Sequence, residues 1–287
     1  MRRPLLHPLL VGIVNITADS FSDGGRFLDP AAAIAHASRL AADGADIVEL
    51  GSAASNVAAG PVSPEEEIAR LAPVLTALAA NNTPLSVDTY SPRTQRFALD
   101  RGVAYLNDIR GFPDPAQYPA LAASSCRLVV MHAAGGIGRA EPLDLEPGEV
   151  WRRITVFFAE RIATLEHAGI ARERLILDPG MGLFLSRRPE ASVYVLTRIG
   201  RLREIFGLPV MISVSRKSFL GAIAGGRPPA ERGPATLAAE LFAASQGADY
   251  IRTHDPAALR DALTVTAALL ESCPASRHIE GDSGGTR

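Results

Sequence analysis

Two pairs of cationic side chains follow apolar runs in the last third of the chain. Arg216 and Lys217 stand in the stretch "SVSRKSFLG" (213–221), directly after "LPVMI". Arg252 and His254 belong to the run "YIRTH" (250–254). Cations grouped at the end of a buried segment can bind an anionic group such as a phosphate. The two pairs therefore predict an anion-binding site.

Carboxylate, amide or imidazole side chains end the other apolar runs. These residues are Asn15, Glu49, Asp88, Asn107, His132 and Asp178. A carboxylate accepts two N–H bonds in fixed geometry, which suits a heterocycle that carries an amino group and ring nitrogens. The chain contains neither a Walker loop nor G-x-G-x-x-G, so a nucleotide held in a glycine loop is not indicated. The predicted ligand is anionic at one end and offers N–H donors at the other.

The elements that must position these residues are eight apolar runs of strand length. They cover 9–16, 46–51, 84–89, 104–109, 127–132, 175–180, 209–215 and 250–254. Most are continuously apolar, which is typical of parallel strands buried on both faces. Several intervening segments begin with Asp-Pro or Ser-Pro and end near a glycine, as helices do. The pattern predicts a single-domain α/β protein, a (β/α)₈ TIM barrel, with an open doubly wound sheet as the alternative.

Composition excludes several classes of protein. The chain has 287 residues, 47% of them hydrophobic and 21% charged, with a net charge of −2, so we expect no nucleic-acid partner. Cys126 and Cys273 form no C-x-x-C pair, which predicts neither a disulfide framework nor a thiolate zinc site and favours the cytoplasm. No window of 18 uncharged apolar residues occurs, so we expect no membrane span.

The barrel interpretation places all these polar residues on one rim. Enzymes of this architecture build their sites at the C-terminal ends of the strands, commonly with a phosphate after strands seven and eight. The cations follow those two strands, whereas the carboxylates and amides follow strands three, four and six. Each residue alone could be a solvated strand end. Polar residues at all eight strand ends are difficult to explain together without a ligand, because buried polar groups need partners.

Six motifs in order resemble those of the dihydropteroate synthases over nearly the whole chain. They are "GIVNITADSFSDGG" (12–25), "SVDTYSP" (86–92), "LNDIRGF" (106–112), "LILDPGMG" (175–182), "SVSRKSFLG" (213–221) and "IRTHD" (251–255). The sequences of the segments "GSAASN" and "DPGMGLFLS" are most similar to those of the mobile, sulfonamide-insensitive branch of that family. The resemblance implies condensation of 6-hydroxymethyl-7,8-dihydropterin pyrophosphate with 4-aminobenzoate, with release of pyrophosphate.

The resemblance also implies roles for residues. Those implied to bind the pterin are Asp88, Asn107, Asp178 and Lys217. Those implied to bind the pyrophosphate are Arg252, His254 and Ser55, with Asn15 reaching it through Mg²⁺. Those implied to border the site of 4-aminobenzoate or a sulfonamide are Ser218, Gly182, Leu183 and Phe184. Those in the first loop, which we expect to close over the reacting centre, are Thr17, Asp19, Ser20 and Phe21.

The chain departs from the family pattern in two loops. After strand two it reads "ASNV" (54–57) where most members have Ser-Thr-Arg-Pro, so an arginine is missing. After strand six it reads "MGLFLS" (181–186) in place of a repeated Phe-Gly and a lysine, and we expect Phe184 or Leu183 to exclude sulfonamides there. We expect the barrel to span 1–273, with a flexible tail over 274–287, and to form a homodimer as the family does.

Two alternatives remain at this point. One is a pterin-binding barrel without synthase activity, either a degenerate paralogue or a methyl-transfer relative. The retained "SRKS" and "RTH" argue against it, because a methyl-transfer barrel has no pyrophosphate to hold. The other is a structural or interaction role with a relic site.

Overall fold

The computed structural model describes residues 7–17, 29–53, 62–135, 140 and 143–272. Eight parallel strands form one sheet. The strands are β1 Leu9–Asn15, β2 Ile47–Gly51, β3 Leu85–Asp88, β4 Tyr105–Asp108, β5 Arg127–Met131, β6 Leu175–Asp178, β7 Met211–Ile212 and β8 Tyr250–Thr253. Their order is β6-β5-β4-β3-β2-β1-β8-β7, and a parallel bridge between Leu177 and Val210 joins the two ends. The sheet is therefore a closed barrel, which confirms the predicted fold class.

Helices pack around the outside of the barrel. They are α1 Pro30–Ala42, α2 Pro64–Leu78, α3 Pro92–Leu99, α4 Tyr118–Ala123, α5 Pro147–His167, α6 Pro189–Leu196, α7 Ile199–Phe206, α8 Ser218–Ile223, α9 Gly233–Ser245 and α10 Pro256–Glu271. At the starts of α1, α2, α3 and α10, an Asp or Ser side chain accepts a backbone N–H and proline follows. These are the predicted caps, and they end each rim loop at a fixed point.

Side-chain alternation separates the inside of the barrel from the outside. Every second residue of a strand points inward. The lowest inward layer is apolar, and its members are Val11, Ile47, Val129, Ile176, Met211 and Tyr250, with Tyr105 packed against them. This layer closes the N-terminal end of the barrel. The next inward residues lie above it, towards the rim where the site is expected.

Strand β7 is shorter than its apolar run predicted. The ladder covers only Met211–Ile212, although the run extends from 209 to 215. Ser213 to Ser215 are buried but leave the ladder and continue into the rim loop. These residues position side chains at the rim. The apolar run therefore extends past the strand because its last residues are buried, not because they pair with a neighbouring strand.

Among the described residues, no helix is long and apolar enough to cross a membrane. Cys126 is a buried free thiol. Cys273, the tail 274–287 and most of the two rim loops after β1 and β2 lie outside the described residues.

Candidate active site

A cavity opens at the C-terminal end of the barrel. Its empty volume is about 360 Å³, which includes the open space at its mouth. The lining residues are Asp88, Asn107, Ile109, Met131, Asp178, Met181, Phe184, Ser213, Lys217 and Arg252. The cavity therefore contains all four residues that were predicted to bind a pterin. It also contains Arg252 and Phe184, which were predicted to serve other parts of the ligand.

The period of the strands explains why these residues meet. Asn107, Asp178, Ser213 and Arg252 each lie two positions after a residue of the apolar bottom layer or the tyrosine packed against it. They therefore point inward and form the second layer, which lines the cavity. Glu49 stands at the same level on β2, two positions after Ile47.

A buried network joins the two signs of charge at the floor of the cavity. The Nε of Arg252 donates to Glu49, and its Nη2 donates to Oδ2 of Asp88 at 3.0 Å. Glu49 has no exposed surface and also accepts from the Ser86 hydroxyl at 2.9 Å and from Nδ2 of Asn107 at 3.3 Å. The guanidinium expected to hold pyrophosphate thus lies among the carboxylates expected to hold the pterin.

Burial shifts the ionisation of the charged residues that line the cavity. It raises the pKa of Asp178 to about 6, although the Gly180 N–H, which donates to the carboxylate at 2.8 Å, acts to lower that pKa. It raises the pKa of Asp88 to about 7, partly opposed by Arg252. It lowers the pKa of Lys217 to about 8, with Arg252 acting in the same direction. Both carboxyls and the ammonium therefore titrate close to neutral pH.

One fully buried side-chain atom at the cavity, Oδ1 of Asn107, lacks a hydrogen-bond partner. The amide nitrogen of Asn107 donates to Glu49, but its Oδ1 is buried and accepts no bond. A buried acceptor without a donor is costly, and such an atom in a cavity points to a ligand. The missing group is an N–H or O–H donor, beside two carboxylates that need the same kind of partner.

The predicted anion-binding residues lie beside this network. The Ser215 hydroxyl lies 2.8 Å from Nδ1 of His254 and also accepts the His254 backbone N–H at 3.3 Å. Burial lowers the pKa of His254 well below its usual value, and Arg216, Arg252 and Lys217 add to the shift. His254 is therefore a neutral imidazole in the absence of a ligand, and an arriving anion would favour its protonation.

The turn after β6 forms the wall beside Lys217. Its residues Gly182–Phe184 make one turn of 3₁₀ helix, and a Cβ at Gly182 would lie 3.4 Å from Oγ of Ser218. The ammonium of Lys217 lies 4.5 Å from the centre of the Phe184 ring, a cation–π contact. Phe184 lines the cavity, whereas Leu183 packs against the cluster of Ile109, Met131, Ala140 and Phe184 at the rim. Only one of the two proposed blocking residues thus faces the cavity.

The N-terminal part of the site is described only in part. Asn15 ends β1, and its Oδ1 would lie 3.8 Å from a Cβ at Gly51. Thr17 is buried, and its hydroxyl has no hydrogen-bond partner. Asp19, Ser20, Phe21 and Ser55 lie outside the described residues. The described residues contain no cluster of three or more His, Cys, Asp or Glu side chains that could hold a metal ion.

Sequence reasoning missed a role for Glu49 and Ser213. Both lie in the second inward layer of the barrel, and Glu49 accepts hydrogen bonds from Arg252 and Asn107. The signal was available in the period of two along each strand, because each stands two positions after an inward apolar residue. Met131 and Met181 were missed because a methionine is equally common in packed cores.

Comparisons with known proteins agree with this geometry. The family model of pterin-binding enzymes matches residues 11–254. The chain is 59% identical to dihydropteroate synthase type-2 of Escherichia coli over 264 residues, which cover 92% of this chain and 97% of the relative. It is 52% identical to type-1 of Escherichia coli over 259 residues, covering 90% and 92%. The solved structure of Xanthomonas albilineans dihydropteroate synthase with 4-aminobenzoic acid superposes with a TM-score of 0.83 at 39% identity, covering 94% of this chain and 95% of that one.

Proposed function

The chain belongs to the family of pterin-binding enzymes, among the dihydropteroate synthases, and we propose that it joins 6-hydroxymethyl-7,8-dihydropterin pyrophosphate to 4-aminobenzoate, forming 7,8-dihydropteroate and pyrophosphate. The observation that carries this proposal is the buried, unpartnered Oδ1 of Asn107 in a cavity that also holds Asp88 and Asp178. Three acceptors converge there, and the amino-pyrimidine edge of a pterin supplies N–H donors to such a set. The enzyme is thus a transferase that acts on small molecules.

The pyrophosphate would lie at the β7–β8 side of the cavity. Lys217 and Arg252 supply positive charge there, and His254 can gain it; burial and the neighbouring cations lower the pKa of Lys217 and of His254 in the absence of an anion. A bound anion opposes both shifts, so binding would favour protonation of His254. Ser55 remains a prediction for the same group.

Magnesium fits the residues present, and we propose Asn15 as its protein ligand. Mg²⁺ is commonly held by one or two protein oxygens together with substrate phosphates and waters, so a dense carboxylate cluster is not required. The amide oxygen of Asn15 at the end of β1 satisfies that condition. When bound, the ion would neutralise charge on the pyrophosphate.

The reaction needs no protein nucleophile. The bond between the pterin methylene carbon and the pyrophosphate oxygen breaks, and the electron pair leaves with the oxygen. The amine of 4-aminobenzoate forms the new C–N bond and loses one proton to solvent. Asp88 and Asp178 stabilise positive charge on the pterin methylene, while Arg252 and Lys217 stabilise the departing anion. Alignment of the amine supplies the remaining rate acceleration.

The 4-aminobenzoate would lie between Ser218 and the turn after β6. Gly182 and Ser218 are adjacent, and Phe184 faces the cavity beside Lys217. We propose that Phe184 excludes sulfonamides, because their tetrahedral sulfonyl group and its substituent extend beyond the volume of a flat carboxylate. The proposed insensitivity is supported by this placement of Phe184 and by the resemblance of "DPGMGLFLS" to the sulfonamide-insensitive branch of the family.

A homodimer and a cytoplasmic location complete the proposal. The homodimer would use the outer helices, where exposed apolar side chains such as Val265 and Leu269 on α10 are available. The free buried thiol of Cys126 suits a reducing compartment. Light scattering at several protein concentrations tests the first of these: one monomer mass at all concentrations would contradict it.

A coupled assay for pyrophosphate release tests the function. The purified chain is supplied with Mg²⁺ and the pterin pyrophosphate, with and without 4-aminobenzoate. We expect release only in the presence of the arylamine and formation of 7,8-dihydropteroate in equal amount. Binding of the pterin without any release would instead support the barrel without synthase activity, which the similarity to the curated synthases does not favour.

His254→Ala tests the anion end against the pterin end. We expect this variant to bind the pterin pyrophosphate at least tenfold more weakly, while its affinity for the pterin alcohol changes less than threefold. The matched control is His167→Ala, a change in the last turn of α5 that should alter neither affinity. Equal losses for both pterins would place His254 elsewhere in the mechanism.

A further inference from the structure

The loop after β7 contains a disfavoured backbone conformation at Arg216. Its φ is +58°, in the left-handed region that residues with a Cβ rarely adopt. Within the described residues only Phe112, in the loop after β4, shares this among residues other than glycine. A non-glycine residue keeps such a conformation only where its surroundings impose it. The question is which residues impose it here.

The first turn of α9 and the residue before it bind both backbone polar groups of Arg216. Its backbone N–H donates to Oγ1 of Thr236 at 3.0 Å, and its carbonyl accepts from Nη1 of Arg232 at 2.7 Å. Thr236 is buried, so its hydroxyl is shielded from competing water. Arg232 directly precedes α9, and Thr236 lies in the first turn of that helix, four positions later. The two residues form a clamp on Arg216.

Arg232 also binds the segment that follows the short helix α8. Its Nε donates to the carbonyl of Arg227 at 2.8 Å. The guanidinium lies directly against Gly221, where a Cβ would be only 2.4 Å from Nε. One planar guanidinium thus connects Arg216, two positions before α8, with Arg227 in the segment that follows α8. A lysine could not do this, because its single ammonium lacks the fixed fork of donors.

The clamped turn places side chains at both ends of the ligand. On one side of Arg216, the Ser215 hydroxyl contacts Nδ1 of His254 at 2.8 Å. On the other side, Lys217 lines the cavity, and Ser218 begins α8 next to Gly182. In an extended chain, Ser215 and Lys217 would point the same way, side by side. The left-handed residue between them separates their directions.

We propose that Thr236 and Arg232 are positioning residues of the active site. They hold Arg216 in its left-handed conformation and thereby direct Lys217 into the pterin cavity and the Ser215 hydroxyl to His254. Neither residue lines the cavity, and they act on the ligand only through this loop. The inference rests on the proposed function, because Lys217 matters only if the cavity binds the pterin.

The test is Thr236→Val, which keeps the shape of the side chain and removes the acceptor for the Arg216 N–H. We expect faster hydrogen exchange in the peptide 213–221. We also expect at least a tenfold loss in kcat/KM for the pterin pyrophosphate, mainly through KM, since Lys217 contributes binding. Thr236→Ser keeps the hydroxyl and should restore both values. Ala238→Val, at an exposed position of α9, controls for the low helix propensity of valine.

A double-mutant cycle separates positioning from general destabilisation. In a Lys217→Met background, Thr236→Val should lower kcat/KM by a clearly smaller factor than in the unmodified background, because one of the two side chains it positions is already gone and only the Ser215 contact with His254 is left to lose. Equal losses in both backgrounds, or no recovery with Thr236→Ser, would overturn the proposal. An inactive unmodified enzyme would instead contradict the proposed function. Hydrogen exchange would then still decide whether Thr236 holds the loop: unchanged exchange in Thr236→Val would refute the clamp.

Discussion

Nη2 of Arg252 donates a hydrogen bond to Oδ2 of Asp88 at 3.0 Å, across the floor of the cavity. The two residues were expected to bind opposite ends of the substrate, an anion and a pterin. Because Arg252 and Asp88 are in contact, the charges of the two subsites are not independent. A ligand that neutralises one of these two side chains weakens its bond to the other. A pyrophosphate that draws Arg252 away would leave Asp88 free to accept from the pterin.

The first prediction concerns Glu49, which has no exposed surface and binds Arg252. Glu49→Gln leaves a buried guanidinium short of one counter-charge, so we expect the free energy of unfolding to fall by about 2–4 kcal/mol. Chemical denaturation measures the change. The matched control is Glu166→Gln, which breaks a largely exposed pair with Arg172 and should cost about 1 kcal/mol or less. Equal costs for the two variants would show that burial does not strengthen the Glu49 pair.

The second prediction concerns Asp178 as the main acceptor for the pterin. Asp178→Asn can keep the bond from the Gly180 N–H through Oδ1, but it presents an NH₂ group to the ligand in place of the second oxygen. We expect about 2–5 kcal/mol less favourable binding of 6-hydroxymethyl-7,8-dihydropterin by calorimetry, with little change in thermal stability. Asp144→Asn, at an exposed ion pair, is the control. An affinity within threefold of that of the unmodified protein would show that Asp178 is not the main acceptor for the pterin.

The third prediction is a pH dependence of pterin binding. Burial raises the pKa of Asp178 to about 6 and that of Asp88 to about 7, so both carboxyls gain protons as the pH falls through this range. A protonated carboxyl accepts fewer N–H bonds. We therefore expect affinity for the pterin alcohol to decrease from pH 8 to pH 5, and the decrease to be smaller in Asp178→Asn. A flat profile in the unmodified protein would contradict both roles.

The fourth prediction concerns discrimination against sulfonamides. We expect the ratio of the sulfonamide inhibition constant to the Michaelis constant of 4-aminobenzoate to exceed that of a sensitive synthase by more than a hundredfold, which corresponds to a clash worth about 3 kcal/mol. Phe184→Gly should lower the ratio most, because Phe184 lines the cavity. Leu183→Gly, in the same turn, is the matched control and should lower it less. A ratio near one in the unmodified enzyme would refute the hypothesis.

The fifth prediction concerns Glu240 on α9, a carboxyl that is 1% exposed and has one oxygen without a partner. Burial raises its pKa to about 8, against a hydrogen bond from Thr253 and the charge of Arg216. The folded state therefore binds this proton more tightly than the unfolded state. The stability associated with it is present below about pH 4.5 and is lost as the pH rises to about 8.

Glu240→Gln removes this titration. We compare the free energies of unfolding of the variant and the unmodified protein at each pH. The difference between them should shift by roughly 3 kcal/mol in favour of the variant as the pH rises from 5 to 9. The comparison isolates Glu240, since Asp88 and Asp178 titrate in both proteins. Parallel stability curves for the two proteins would show that Glu240 is already ionised in the folded state.

Local patterns in the sequence were sufficient for the barrel and for much of its rim. Continuous apolar runs predicted eight buried parallel strands, and Asp-Pro or Ser-Pro marked the helix starts, because burial and capping depend on residues close together in the chain. The order of strands then placed Asp88, Asn107, Asp178 and Lys217 at one end, and one cavity contains them all.

Only the tertiary structure decided how those residues are paired. Arg252 and Glu49 are 203 positions apart, and no local pattern links them. Their contact depends on barrel closure, which brings β8 beside β1 and aims both side chains at the same interior layer. The left-handed conformation of Arg216 likewise depends on Thr236 and Arg232, which reach it from another helix. Sequence determines which chemical groups reach the rim, whereas packing between distant segments determines their partners and directions.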